Sequence, residues 1–118
     1  MNKPIAIRGI EYARPARTLS NDDMAKIVDT SDEWISTRTG IKTRHVVSGN
    51  EDAVTLANEA VLKLMASTKV NPETIDMIIS ATSAPQRCYP SVACEVQATI
   101  NAEKASACDL VAACSGFI

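Results

Sequence analysis

The stretch Asp109-Leu110-Val111-Ala112-Ala113-Cys114-Ser115-Gly116-Phe117 ends an apolar run on a thiol and follows it with two small residues. Where a buried strand turns into a helix, free backbone N–H groups and the positive end of the helix dipole surround the turn. A cysteine delivered there is held toward the thiolate, the nucleophilic form. Ser115 and Gly116 keep the turn small enough for a substrate carbonyl to approach the sulfur, and the same N–H groups would stabilise an oxyanion. A buried cysteine in a tightly packed turn fits the same local pattern, so the pattern alone leaves both readings open.

A thiolate nucleophile ordinarily works with a histidine, and His45 is the only one present. Its context, Thr43-Arg44-His45-Val46-Val47, offers no orienting carboxylate and no loop signal at a strand end. His45 therefore reads as a surface or packing residue and not as a partner of Cys114. Cys88, Cys94 and Cys108 read as small buried hydrophobes. Zinc is not indicated, because there is no pair of cysteines two residues apart. If 108–114 is extended, its two cysteines stand roughly 20 Å apart and cannot share a metal ion. A second group of chemical interest is Trp34 and Arg38, one helical turn apart on one side of a helix. A flat aromatic face beside a guanidinium suits a purine and a phosphate. Trp34 packed against its own domain, with Arg38 solvated, is the competing reading.

The elements that must position these groups can be read from hydrophobic period and punctuation. Residues 4–10 pattern as a first strand, with Ile5 and Ile7 on one face. Ser20 and Asp23 have the spacing of a helix cap, with Met24, Ile27 and Val28 as an apolar stripe behind them. Thr30 to Glu33 repeats the capping spacing, Trp34 to Arg38 continue the helix, and Gly40 is placed to end it. Residues 41–48 alternate loosely, as a strand or hairpin arm does. The clearest helix is 52–67, with Glu59 and Lys63 four apart on its outer face. Asn71-Pro72 breaks it, and Ile75 to Ala81 reads as a strand covered on both faces. After a loop at 85–90, Pro90-Ser91 opens a helix with Val92, Ala93, Val96 and Ile100 inward. The last strand, about 105–112, arrives at Cys114. Strands alternating with helical segments indicate an α/β fold with a parallel sheet, whose sites lie at the C-terminal ends of strands.

Length and composition agree with one globular domain: 118 residues, 46% apolar and 22% charged. A net charge of −2 gives no electrostatic reason to expect nucleic acid or a membrane surface as partner. No apolar run approaches the roughly 20 residues of a membrane span, and the N-terminus makes a poor signal peptide, so a cytoplasmic location is expected.

The motif Thr30-Ser31-Asp32-Glu33-Trp34-Ile35-Ser36-Thr37-Arg38-Thr39-Gly40-Ile41-Lys42-Thr43-Arg44-His45 and the motif 109–117, with residues 80–97 between them, resemble the N-terminal part of the β-ketoacyl-acyl carrier protein synthase III family. One departure is the segment 8–17, which replaces a more Gly-rich turn. The resemblance implies a thiolase-like α/β fold, a parallel-rich mixed sheet with covering helices, of which residues 1–118 form the N-terminal portion. It implies an acyltransferase that initiates fatty-acid biosynthesis. Cys114 would take an acyl group from acyl-CoA, and the thioester would condense with malonyl-acyl carrier protein, whose decarboxylation supplies the carbanion. Thr30, Trp34 and Arg38 match positions that hold coenzyme A, and Tyr89 matches a residue that walls the partner subunit's acyl pocket in a homodimer. No resident cofactor or metal is implied. The family's catalytic His and Asn belong to its C-terminal half, so the resemblance implies that these residues alone do not complete the reaction. Related synthases with quinolone, polyketide or hydroxymethylglutaryl-CoA starters, and a non-catalytic acyl- or CoA-binding module, are the alternatives.

Overall fold

The computed structural model describes residues 5–83, 85 and 87–117. They divide into two compact units, one made of Arg14–Glu51 and one drawn from Met1–Ala13 together with Asp52–Ile118.

The larger unit is built on a parallel pair. Strand β3 (Met77–Ala81) runs beside β4 (Ser106–Leu110) in the register Met77↔Ser106 to Ala81↔Leu110. Parallel neighbours need a crossover, and helix α4 (Val92–Thr99) supplies it. Val92, Ala93, Val96 and Ile100 are buried, the inward set expected from the sequence. Ile100, Ala102 and Ala105 form a core cluster onto which Val61, Met65, Ile75 and Ile78 pack. Val61 and Met65 come from α3 (Ala53–Thr68), within a residue of its expected start and end. Asp52 caps α3: its Oδ1 accepts from the Thr55 N–H at 2.7 Å while Thr55 Oγ1 accepts from the Asp52 N–H at 2.7 Å. Glu59 and Lys63 form the anticipated ion pair on its outer face.

Three expectations in this unit fail. Ile5, Ile7 and Ile10 are exposed and no strand forms there, since none of the described residues pairs with them; Pro4, the first residue of that expected strand, lies outside the described residues. Gly9 does have a packing reason, because a Cβ there would stand 2.5 Å from Thr68 Cγ2 of α3. Among the described residues strand β3 is covered on one face only: Ile78 packs inward, whereas Met77 and Ile79 are 56% and 59% exposed. Side chains alternate along a strand, and among the described residues α3 and α4 contribute to one side. Cys108 pairs in register with Ile79 and shares its exposed face, while Cys88 lies exposed in the loop before α4 and Cys94 is half-buried. None of the three is the fully buried hydrophobe expected.

The smaller unit is an antiparallel pair, β1 (Arg17–Ser20) with β2 (Thr43–Val46), enclosing helices α1 (Asn21–Ala25) and α2 (Asp32–Thr39). Ser20 caps α1 as expected, its Oγ accepting from the Asp23 N–H while Asp23 Oδ2 accepts from the Ser20 N–H. The helix stops after five residues, so Ile27 and Val28 fall beyond it and are exposed instead of forming a stripe with Met24. Gly40 closes α2 at φ 71°, a left-handed conformation that glycine adopts without Cβ strain.

Asp109 ties the crossover helix to the strand that carries the site. Its Oδ2 and Oδ1 accept from the Val92 and Ala93 N–H groups at 3.0 and 2.8 Å, the free donors at the start of α4. Asp109→Ala strips both acceptors and is expected to lower stability by about 1–3 kcal/mol. Urea unfolding should show the loss as a lower midpoint at unchanged slope. A midpoint that does not move would mean that Ser91 and solvent suffice to cap the helix.

Candidate functional site

Cys114 stands where both parallel strands end. Beyond β4 the chain enters a 3-10 turn, Ala113–Phe117, in which the Ser115 N–H donates to the Ala112 carbonyl at 3.0 Å. The turn bends back over the end of β3, and a Cβ on Gly116 would lie 3.0 Å from Ala81 Cβ, so a side chain at 116 would crowd that strand. Ala113 takes φ 45°, a left-handed conformation that costs a non-glycine residue about 1–2 kcal/mol. Among the described residues Cys114 is exposed and not buried. As far as the described residues run, the turn is a 3-10 segment, and these residues do not themselves supply the axial dipole argued from the sequence.

The second group lies in the smaller unit. The Arg38 guanidinium carbon sits 4.8 Å from the centroid of the Trp34 ring, a cation–π pair on one side of α2. A surface depression of about 590 Å³ beside it is lined by Val28, Asp29, Thr30, Ser31 and Trp34. Ser31, not Thr30, caps α2, its Oγ accepting from the Trp34 N–H at 3.1 Å. That corrects the cap by one residue and frees the Thr30 hydroxyl, which is buried and has no hydrogen-bond partner among the described residues. The structure thus brings Thr30, Trp34 and Arg38 together.

Behind α2 lies a feature that the sequence reading missed. Asn21 is 2% exposed, and its Nδ2 donates to Asp32 Oδ1 at 2.7 Å, to the Ile41 carbonyl at 2.8 Å and, more weakly, to Ser36 Oγ at 3.3 Å. Its Oδ1 accepts from Arg44 Nη2 at 2.5 Å. The Asn21 amide, with Lys42 and the Ser36 hydroxyl, holds the Asp32 carboxyl down at about 2. A capping serine followed by Asn and two aspartates looks locally like helix-start chemistry only, which is why Asn21 did not stand out.

His45 is exposed on β2, and its Nδ1 donates to the Pro15 carbonyl at 2.7 Å. Tyr89 is 89% exposed in the loop before α4. Among the described residues no group of His, Cys, Asp or Glu could hold a metal ion, and no helix is long and apolar enough to cross a membrane.

No protein-family model matches the chain. It is 48% identical over 112 residues to a β-ketoacyl-[acyl-carrier-protein] synthase III of Streptococcus gordonii, an alignment covering 95% of this chain and 34% of that protein. It superimposes with a TM-score of 0.87 on the crystal structure of 3-oxoacyl-[acyl-carrier-protein] synthase III from Aquifex aeolicus VF5, 45% identical, covering 93% of this chain and 35% of that one. The structure of MvaS in complex with 3-hydroxy-3-methylglutaryl coenzyme A matches with a TM-score of 0.83 at 25% identity, over 98% of this chain and 28% of that one. The fold is that of the thiolase-like synthases, α/β with a parallel pair leading to the site. Within that class the chain belongs to the β-ketoacyl-acyl carrier protein synthase III family. It spans about a third of the length of the relatives it matches.

The His45 Nδ1 is engaged by backbone, and among the described residues no carboxylate is bonded to its ring, so it lacks the orienting group that a general base for a thiol ordinarily has. His45→Ala in the full-length protein should slow acyl transfer less than tenfold, about 1.4 kcal/mol of barrier. Rates of acyl-enzyme formation check this; a loss on the order of 10²–10⁴, as for a removed general base, would reinstate the Cys114–His45 pair.

Proposed function

We propose that this chain provides the nucleophile and the coenzyme A recognition surface of an acyltransferase that initiates fatty-acid biosynthesis by decarboxylative condensation. The observation that carries the reading is an exposed thiol, Cys114, in a tight turn at the C-terminal ends of two parallel strands, in a chain of this family. In the first half-reaction the Cys114 thiolate attacks the thioester carbonyl of an acyl-CoA. The oxyanion collapses, the carbon–sulfur bond to coenzyme A breaks, and the acyl group remains on Cys114 as coenzyme A leaves as its thiolate. In the second, loss of CO2 from malonyl-acyl carrier protein leaves a carbanion that attacks that thioester carbonyl. A carbon–carbon bond forms, the carbon–sulfur bond to Cys114 breaks, and the Cys114 thiolate is regenerated as the 3-oxoacyl-acyl carrier protein leaves.

Trp34 offers a stacking face for the adenine and Arg38 a fixed positive charge for phosphate, and Thr30 helps to line the adjoining depression. A coenzyme A thioester bound in the MvaS structure supports that ligand class. Tyr89, with its ring in solvent, has the freedom to wall the acyl pocket of a second copy in a homodimer. In this reading the enzyme is cytoplasmic, and the 118 residues alone perform no complete condensation, because the His and Asn that the resemblance implies for decarboxylation belong to the family's C-terminal half. The 45–48% identity to synthase III proteins, against 25% to MvaS, favours the fatty-acid starter reaction over the hydroxymethylglutaryl-CoA one.

Brief exposure of the full-length protein to labelled acetyl-CoA should place the label on the Cys114 peptide alone. Labelled thioester that still accumulates in a Cys114→Ser variant would sink the assignment. Trp34→Ala should raise the KM for acyl-CoA, losing roughly 1–3 kcal/mol of stacking. Transfer from a short pantetheine thioester, which lacks the nucleotide, should hardly change. Equal damage to both donors would show Trp34 to be a packing residue.

A further inference from the structure

A helix of a globular protein usually takes its rotational setting from an apolar stripe pressed into a core. Helix α2 has no such stripe. Its residues Asp32–Thr39 include two large apolar side chains, Trp34 and Ile35, and none of the eight is fully buried. Ile35 is half-buried at most, and Trp34 is on the exposed side. What holds the helix is polar. Asp32 and Ser36 are one turn apart, and both meet the buried Asn21 amide. Ser36 Oγ also donates to Asp32 Oδ1 at 3.0 Å, closing the triangle.

The angular arithmetic gives these bonds a consequence. Successive residues turn by about 100° around an α-helix, so the Asp32/Ser36 row and the Trp34/Arg38 row, two residues out of step, lie about 200° apart. One row faces Asn21, and the other faces away. Asn21 is itself fixed: Arg44 on β2 donates to its Oδ1, while Arg44 Nη1 reaches the Leu19 carbonyl on β1 at 3.2 Å. The Ile41 carbonyl, just past Gly40, takes another of the amide's hydrogen bonds, so both ends of α2 are tied to one side chain. A carboxamide has two N–H donors and one carbonyl, and every one of these groups is used.

We propose that Asn21 is a positioning residue for coenzyme A: by pinning the Asp32/Ser36 face of α2, it aims the Trp34/Arg38 face at the nucleotide. The proposal rests on the coenzyme A reading of that helix. Asn21 touches no substrate and acts only through α2. Apolar replacement would leave Asp32 and the Arg44 guanidinium without their shared partner. Aspartate, the same shape, would set two carboxylates against each other where a donor met an acceptor.

The test compares two acyl donors in the full-length protein. Asn21→Ala should raise the KM for acetyl-CoA about tenfold, the scale of a lost hydrogen bond to a charged group. Its kcat, and its kinetics with a short acetyl-pantetheine thioester, should stay within about twofold, since only carrier binding is lost. Quenching of Trp34, the single tryptophan of these 118 residues, on titration with free coenzyme A should require correspondingly more ligand. If Asn21→Ala does not fold, Asp32→Asn, which removes the charge from the same contact, is judged by the same measurements. Folded variants in which both donors suffer alike, or in which neither KM moves, overturn the proposal. Trp34→Ala in parallel separates the two levels: no change in its acyl-CoA KM overturns the coenzyme A reading together with the role of Asn21. A raised KM for Trp34→Ala beside an unmoved one for the Asn21 and Asp32 variants overturns the positioning role alone.

Discussion

Two parallel strands cannot be joined by a tight turn; the chain must leave the end of one and travel back along the sheet before entering the next. Most of the larger unit follows from meeting that constraint at β3 and β4. The return path is α4, and its four inward residues give the strands a core to rest on. Asp109 then closes the circuit, because a carboxylate on the second strand holds the first N–H groups of the returning helix. Because both strands point the same way, their ends coincide, and the turn after β4 falls across the end of β3. Gly116 and Ala81 meet there at a distance that leaves no room for a larger pair. The exposed position of Cys114 is the geometric result.

The smaller unit answers a different problem by different means. It has little apolar material to bury, and its central side chain, Asn21, is polar. A buried carboxamide with every group bonded costs little, whereas the same group half-satisfied would be a liability. The unit is therefore specified by directional bonds, which fix angles, where the larger unit is specified by contact area. The exposed Lys42–Asp32 and Lys26–Asp23 pairs add little to that, since solvent screens the attraction between exposed charges.

What could be read from the sequence follows the same division. Helices α3 and α4 announce themselves through period and caps, and both lie within a residue or two of where the pattern puts them. The strand pairing β3–β4 and the arrival of Cys114 at a strand end were also legible, because a βαβ pattern has few ways to fold. Quantities set by distant neighbours were not. Among the described residues the segment 5–10 carries strand periodicity but finds no partner, and nothing covers the second face of β3 despite its continuous apolar run. Thr30 and Ser31 are both good caps, and nothing local distinguishes which of them the helix uses. Asn21 bonds to residues 11, 15, 20 and 23 positions away, so no short window contains the reason for it.

The exposure of Cys88 and Cys108 alongside Cys114 bears on how the thiol is to be counted. A maleimide or an iodoacetamide reports access, and all three of these residues are exposed. A thioester donor reports something else, because it exchanges only with a sulfur that can both attack and be left carrying the acyl group. Stoichiometric alkylation of this chain would therefore be a measure of surface topography, and protection against it by a bound acyl donor would be the measure of chemistry.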